Sequence, residues 1–338
     1  MYQAILTAHC CKISEALTVV GGTAELDFDT FRLTITGPGK YFEFVPEFAW
    51  GAGDYLKYES SITPEVEVFT GWRLVPRTDW DLTLDKLKFK NFCEHSGLRT
   101  PPLVADARVA GGAIVKEARR RAARGRILGP MAVDEALRIA AASGRELYAE
   151  KLIDGDTIRA WYWNGILACI ERRPHPRVIG DGDLTVRALA EAKYPGRDWG
   201  LVEPAMSAMA KWQKLGIDAV PPRGAPVVLD FRFQSALYAI ARSSENSLAE
   251  ASGTSVAQQL VSAGLQLKNG VPENIRAQTL ICVCGVIDAA QQVWFTDMDV
   301  GRLVHPDTYE TTISNLFGIS RLAHPVKALP SEGSPTRH

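Results

Sequence analysis

YAEKLIDGDTIRAWYWNGILACIERRPHPRVIGDGDLT, residues 148–185, is the stretch on which the fold of this chain turns. An apolar, acidic and basic cluster at 148–153 breaks at Asp154-Gly155-Asp156, and an aromatic run follows at 158–163. Asn164-Gly165 then separates that run from a second apolar run at 166–170. Two strand-like runs joined by Asn-Gly predict a β-hairpin, because both central residues of the tight turn need positive φ. Arg172, Arg173 and a glycine turn at Gly180-Asp181-Gly182 follow within a few residues. A hairpin that brings acids, arginines and a glycine turn together predicts a site for a charged ligand.

Outside this stretch the chain alternates between helical and extended patterns. Residues 1–80 read as short extended pieces and turns, with no long amphipathic helix before Leu84, so a β-rich N-terminal domain is expected there. Leu84, Leu87, Lys88, Phe92 and Cys93 make a helical stripe that ends at Gly97, and Pro101-Pro102 blocks its continuation. Residues 113–116 are a short apolar run ending in Lys116, and residues 117–129 carry five arginines. A compact helix is expected at 132–142, further helices at 184–192 and 193–219, and another at 255–265. Residues 279–288 read as a buried strand with Asp288 at its tip, and 293–299 as its partner, with Asp297 and Asp299 two apart on one face.

Bulk properties narrow the function. The chain has 338 residues, enough for two or three subdomains, and a formal net charge of −1 that gives no reason to expect nucleic acid or an anionic membrane. No run approaches the roughly 18 apolar residues of a spanning helix. The opening MYQAILTAHC lacks the basic start and small-residue cleavage site of a signal peptide. Six scattered cysteines in mostly apolar contexts read as buried thiols of a reducing compartment, so a cytoplasmic protein is expected. Cys282-Val283-Cys284 has strand spacing, but no histidine or further cysteine lies nearby in sequence to complete a metal site.

The segment around the hairpin resembles the adenine hinge and following strands of the ATP-grasp ligases, nearest to the cyanophycin synthetase and bifunctional glutathione synthetase branch. Glu150, Gly155, Arg159, Arg173, Pro174, Val178, Gly180, Asp181, Gly182, Thr185 and Val186 fall at the spacing of that branch. Asp85-Lys86, the Gly97 to Pro101 passage, the run ending at Lys116 and the later acids follow the same order along the chain. The resemblance covers roughly residues 81–320. It implies an α+β, ATP-grasp fold in which two subdomains clamp ATP, with a central subdomain at 81–146, a C-terminal subdomain at 147–323 and a disordered tail at 324–338. The N-terminal domain at 1–80 departs from the small doubly wound unit usual in the family.

What the resemblance implies for the site is specific. Lys86 and Lys116 would hold ATP phosphates, with Lys90 one turn further along the helix, and residues 117–129 would cover them. The backbone around Glu150, Lys151 and Leu152 would meet the adenine edge. Thr157 stands where a ribose-binding acid is usual, and Asp156 is the nearest substitute, although one strand position reverses the face. Arg159, Arg173 and Arg232 would bind anionic oxygens of phosphate or substrate, while Asp288, Asp297 and Asp299 would hold Mg²⁺ against the phosphates. His305 reads as structural. The implied activity is ATP-dependent carboxylate–amine ligation through an acyl phosphate on an amino acid or short peptide, with homodimers common among such enzymes. A small-molecule kinase on the same fold and a nucleotide-binding protein without turnover stay open.

Overall fold

At Asn164 and Gly165 the backbone takes φ of 49° and 83°, the paired positive values of a type I′ turn, so the expected hairpin forms. The computed structural model describes residues 2–319 apart from 53–54, 76–77, 107, 109–110, 120–126, 145, 233–234, 236, 238–252 and 301–303. Four of the five arginines of residues 117–129, the segment expected to cover phosphate, and the 324–338 tail lie outside the described residues.

The chain begins with α1 (Tyr2–Val20), β1 (Thr23–Leu26), β2 (Leu33–Gly37), β3 (Lys40–Ala52), β4 (Tyr55–Glu59) and β5 (Val68–Arg73). Next come α2 (Asp81–Leu84), α3 (Lys86–His95), β6 (Gly112–Glu117), β7 (Ile127–Ala132), α4 (Val133–Ala142) and β8 (Leu147–Lys151). The hairpin strands are β9 (Gly155–Trp163) and β10 (Ile166–Arg173), followed by β11 (Arg177–Ile179), α5 (Val186–Lys193), α6 (Trp199–Trp212) and β12 (Pro226–Val228). Then α7 (Ser255–Asn269), β13 (Leu280–Asp288), β14 (Val293–Asp299) and α8 (Thr308–Leu316) complete the α+β fold.

Four sheets result. The N-terminal strands run β1-β2-β3-β4 with β5 also on β3, the central sheet is β7-β6-β8, the hairpin sheet is β10-β9-β13-β14, and β11 pairs β12. Extended N-terminal pieces were expected, but α1 was not. Its buried stripe is His9, Ile13, Ala16, Leu17 and Val20, in which a histidine and an alanine dilute the apolar period. The helix packs on α8 and β5.

The hairpin sheet is buried on both faces. Ile158, Ala160, Tyr162, Ile281, Val283 and Met298 form a core with Leu260, Ala263 and Leu267 of α7 and with Phe89 and Cys93 of α3. On the opposite face Trp161, Trp163, Cys169, Leu280 and Cys282 share one core with α1, the N-terminal strands and α8. The central sheet packs Ala113, Val115 and Ala149 against Val133 and Ala136 of α4. A lobe inserted between the hairpin and α7 closes on Val178, Val186, Met206, Val227 and Leu229 of β11, α5, α6 and the β12 region. No helix among the described residues is long and apolar enough to cross a membrane.

Candidate functional site

Strand register assembles one half of the site. Glu171 lies opposite Arg159, Arg159 opposite Cys284, and Cys284 opposite Asp297, so a row of polar side chains crosses all four strands of the hairpin sheet on one face. The next row contains Cys169, Trp161, Cys282 and Asp299, and in the row on the other side Arg173 faces Thr157. The N-terminal core covers the Trp161 row. Arg159 is 6% exposed, Glu171 4% and Asp299 6%, so these charges are held away from bulk water and depend on one another. Arg173 donates through Nε to Glu171. Burial works against the charge on Arg159, but Cys284, Cys282, Glu171 and Asp299 around it raise its pKa. Hydrogen bonding with Cys282 and the charge of Arg159 pull the Cys284 thiol down.

The other half is a cluster of buried lysines. Asp85 caps α3 by accepting from the amides of Leu87 and Lys88 at 3.0 and 3.1 Å, and the Lys86 amide donates to the Ala118 carbonyl at 2.8 Å. The helix start is thereby pinned to the end of β6. Lys86 Nζ donates to the Glu117 carbonyl at 3.3 Å. Lys116 Nζ lies 2.5 Å from Glu150 Oε1 and Lys90 Nζ 3.0 Å from Glu150 Oε2. Lys90 also donates to Thr100 Oγ1 at 3.0 Å and to the Pro101 carbonyl. Lys86, Lys90 and Lys116 are 5%, 2% and 6% exposed, and Glu150, between Lys90 and Lys116, is 1% exposed. Burial lowers the pKa of Lys90, Glu150 opposes this, and Lys116 adds to the lowering. Lys90 and Lys116 thus share one carboxylate, that of Glu150.

The two halves meet through the residue 98–104 segment. The Phe295 amide donates to the Arg99 carbonyl at 2.8 Å, while the Lys151 amide donates to Pro102 at 2.9 Å and the Val104 amide to Ala149 at 3.0 Å. This one segment thus ties β14 to β8. Burial and the charges of Glu150, Asp297 and Asp85 raise the pKa of the Tyr148 phenol.

Not every expected residue joins these clusters. Asp288 sits at the far end of β13, four residues from Cys284 and so about 13 Å along the strand. Its carboxylate accepts from the Gln292 amide at 2.9 Å and Trp294 Nε1 at 2.8 Å, so it closes the β13–β14 turn and does not join Asp297 and Asp299. Among the described residues no group of three or more His, Cys, Asp or Glu side chains is arranged to hold a metal ion. Asp156 points to the face opposite Thr157 and Arg159, where Arg172 pairs with it at 2.8 Å. Arg232 is held by Asp230, 2.7 Å from its Oδ2, on the loop after β12. The amides of Lys151 and Leu152 are engaged with Pro102 and Gly112, so any ligand edge met by this hinge would meet the chain beyond them.

Glu171 and Cys284 were missed as site residues. Glu171 stands two positions before Arg173 on a strand, which was sufficient to put them on one face. Cys284 needed the register, because only the bulge after it sets which residue faces Asp297. His305 is structural as expected: it is 4% exposed, its Nδ1 accepts from the Asp307 amide at 3.2 Å, and its ring lies 5.3 Å from that of Trp161.

No protein-family model matches this chain, and no curated protein matches it. Among solved structures, it is similar to a bifunctional glutathione synthetase from Pasteurella multocida, with 15% identity over 91% of this chain and 44% of that one and a TM-score of 0.42. It is also similar to the VanG D-Ala:D-Ser ligase from Enterococcus faecalis, with 10% identity over 70% of this chain and 62% of that one and a TM-score of 0.36. A D-alanine–D-alanine ligase from Bacillus anthracis gives 12% identity, 70% and 67% coverage and a TM-score of 0.36. The chain spans less than half the length of the glutathione synthetase.

Proposed function

We propose that this chain is an ATP-grasp carboxylate–amine ligase that binds MgATP between the central sheet and the hairpin sheet. The observation that supports the reading is the buried pair Lys90 and Lys116, which share the carboxylate of Glu150 on a sheet tied to β14 by the residue 99–104 segment. A polyanion with its own divalent cation complements lysines on one side and carboxylates on the other. Lys86, Lys90 and Lys116 would neutralise phosphate oxygens as point charges, and Arg159 and Arg173 would orient anionic oxygens through guanidinium hydrogen bonds. Ile153 and Asp154, where the chain leaves β8, would meet the base edge.

The donor set fits Mg²⁺. This ion is commonly held by one or two carboxylates together with substrate phosphates and water, and Asp297 and Asp299 are two carboxylates on one face. Bound there, the ion would supply charge neutralisation of the transferring phosphoryl group. In the reaction we infer, a substrate carboxylate oxygen attacks the terminal phosphorus of ATP and ADP leaves. An amine then displaces phosphate from the acyl phosphate to form an amide. The protein's part is positioning and electrostatics, with no side-chain nucleophile required. An amino acid or short peptide is the substrate class we propose. One observation favours a second reading, a nucleotide-binding protein without turnover: the side chain opposite Asp297 is the thiol of Cys284.

ADP and phosphate release from MgATP, with pools of amino acids and small carboxylic acids, tests this for the wild type and Asp297→Ala. Release that needs both a carboxylate and an amine and vanishes in the variant supports the ligase. Phosphorylated product without an amine requirement selects a kinase, and nucleotide binding without turnover selects the second reading.

A further inference from the structure

Trp212 closes α6 in the inserted lobe, yet its ring rests on the central sheet. A Cβ built on Gly112 would lie 2.6 Å from two atoms of the indole and 3.3 Å from the Leu152 side chain, so only glycine at 112 seats the ring. The Leu152 amide donates to the Gly112 carbonyl at 2.8 Å, which makes the two residues neighbours across β6 and the hinge. Gly112, Ile114 and Lys116 share one face of β6, and Ile114 lies opposite Glu150 and Lys116 opposite Tyr148. The indole therefore stands on the same face as the lysine cluster, at its other end. Four residues separate Gly112 from Lys116, about 13 Å of strand, a span comparable to that from base to outer phosphates in an extended nucleotide.

This end of the face is apolar and open. Trp212 is 38% exposed, and Leu152 beside it is half-buried. An exposed aromatic side chain with an aliphatic neighbour beside a backbone edge suits a flat heteroaromatic ring. We propose that Trp212, contributed by the inserted lobe, forms a wall of the nucleobase site and stacks on the purine ring held at the hinge. The proposal rests on the nucleotide reading above and extends it to a residue outside both sheets. It gives the lobe a function beyond covering β7: it carries the base-recognition side chain.

The test is titration calorimetry of the full chain with MgATP and, separately, with inorganic tripolyphosphate, for wild type, Trp212→Ala, Trp212→Phe and Gly112→Ala. Aromatic–base stacking lost on truncation to alanine corresponds to about a tenfold or greater loss of affinity. Trp212→Ala should lose that much for MgATP and nothing for tripolyphosphate. Trp212→Phe should stay close to wild type, and Gly112→Ala, which pushes the indole aside, should fall between. Unchanged MgATP affinity in Trp212→Ala overturns the proposal. So does an equal loss for both ligands, which would mean that Trp212 only seats the lobe. Wild type that binds neither ligand defeats the nucleotide reading itself, and wild type that binds tripolyphosphate but not MgATP defeats the base site alone.

Discussion

His9 is enclosed by the rings of Phe69, Trp72 and Tyr309, with centroids at 5.2, 6.4 and 5.6 Å, and its Nδ1 is 2.9 Å from the Tyr309 hydroxyl. Burial, aided by His305, lowers its pKa from 6.5 to about 3. The unfolded chain therefore binds a proton below pH 6.5 that the folded chain refuses until about pH 3. The His9 contribution is whole above the unfolded pKa and shrinks as pH falls towards the folded one. Between pH 7 and 5 this single group should remove about 2 kcal/mol of stability. Urea unfolding at the two pH values should show a smaller difference for His9→Gln than for wild type, and equal slopes would refute the assignment. Glu150 gives a second prediction at this scale. Glu150→Gln leaves Lys90 and Lys116 buried without their counter-charge and should cost about 3 kcal/mol or more. A polyphosphate ligand should raise the melting temperature of that variant more than that of the wild type.

At the scale of elements, the hairpin and α7 are fitted to one another by two glycines. A Cβ on Gly264 would lie 2.0 Å from the Gly165 carbonyl oxygen, and one on Gly165, where φ is +83°, would lie 2.9 Å from the Gly264 oxygen. The helix thus rests directly on the turn. Replacing an exposed helical glycine by alanine would stabilise by up to about 1 kcal/mol. Here Gly264→Ala should instead destabilise by about 1–3 kcal/mol, because the helix must lift from the hairpin. Chemical denaturation will separate the two signs. The same hairpin carries Arg159, Glu171 and Arg173, so Gly264→Ala should weaken the proposed nucleotide turnover as well as stability.

For the whole molecule, the decisive feature is a core that crosses from residues 1–80 into the hairpin sheet. Trp161, Trp163, Cys169, Leu280 and Cys282 are covered by Ile13, Leu17, Phe44, Phe69 and Trp72, and Tyr309 accepts from the Trp72 amide at 2.9 Å. The buried Arg73 donates to the Val300 carbonyl just after Asp299, which anchors the N-terminal unit beside the acidic end of the site. A chain of residues 81–338 alone should therefore expose this face, bind a hydrophobic dye and lose cooperative unfolding, whereas the full chain should unfold with the two regions in one transition. A well-folded truncated chain with unchanged nucleotide binding would contradict that coupling.

The local chemistry of the chain was written in its sequence. Asn164-Gly165 demands a tight hairpin, and alternating residues at 293–299 put Asp297 and Asp299 on one face. Each of these depends on neighbours a few residues apart, so no distant partner can change it. The long helix at 2–20 escaped notice because His9 and Ala16 take core positions that only the aromatic cluster of β5 and α8 makes apolar. Tertiary structure alone decided which side chains meet. Strand register gave Asp297 a thiol, and Asp288 became the support of a turn. Ion pairing joined Lys90 to Glu150 across 60 positions of sequence, and Trp212 came to rest on Gly112 from another lobe. A one-residue change in register turns a side chain to the opposite face, and that choice is made by the packing of whole sheets.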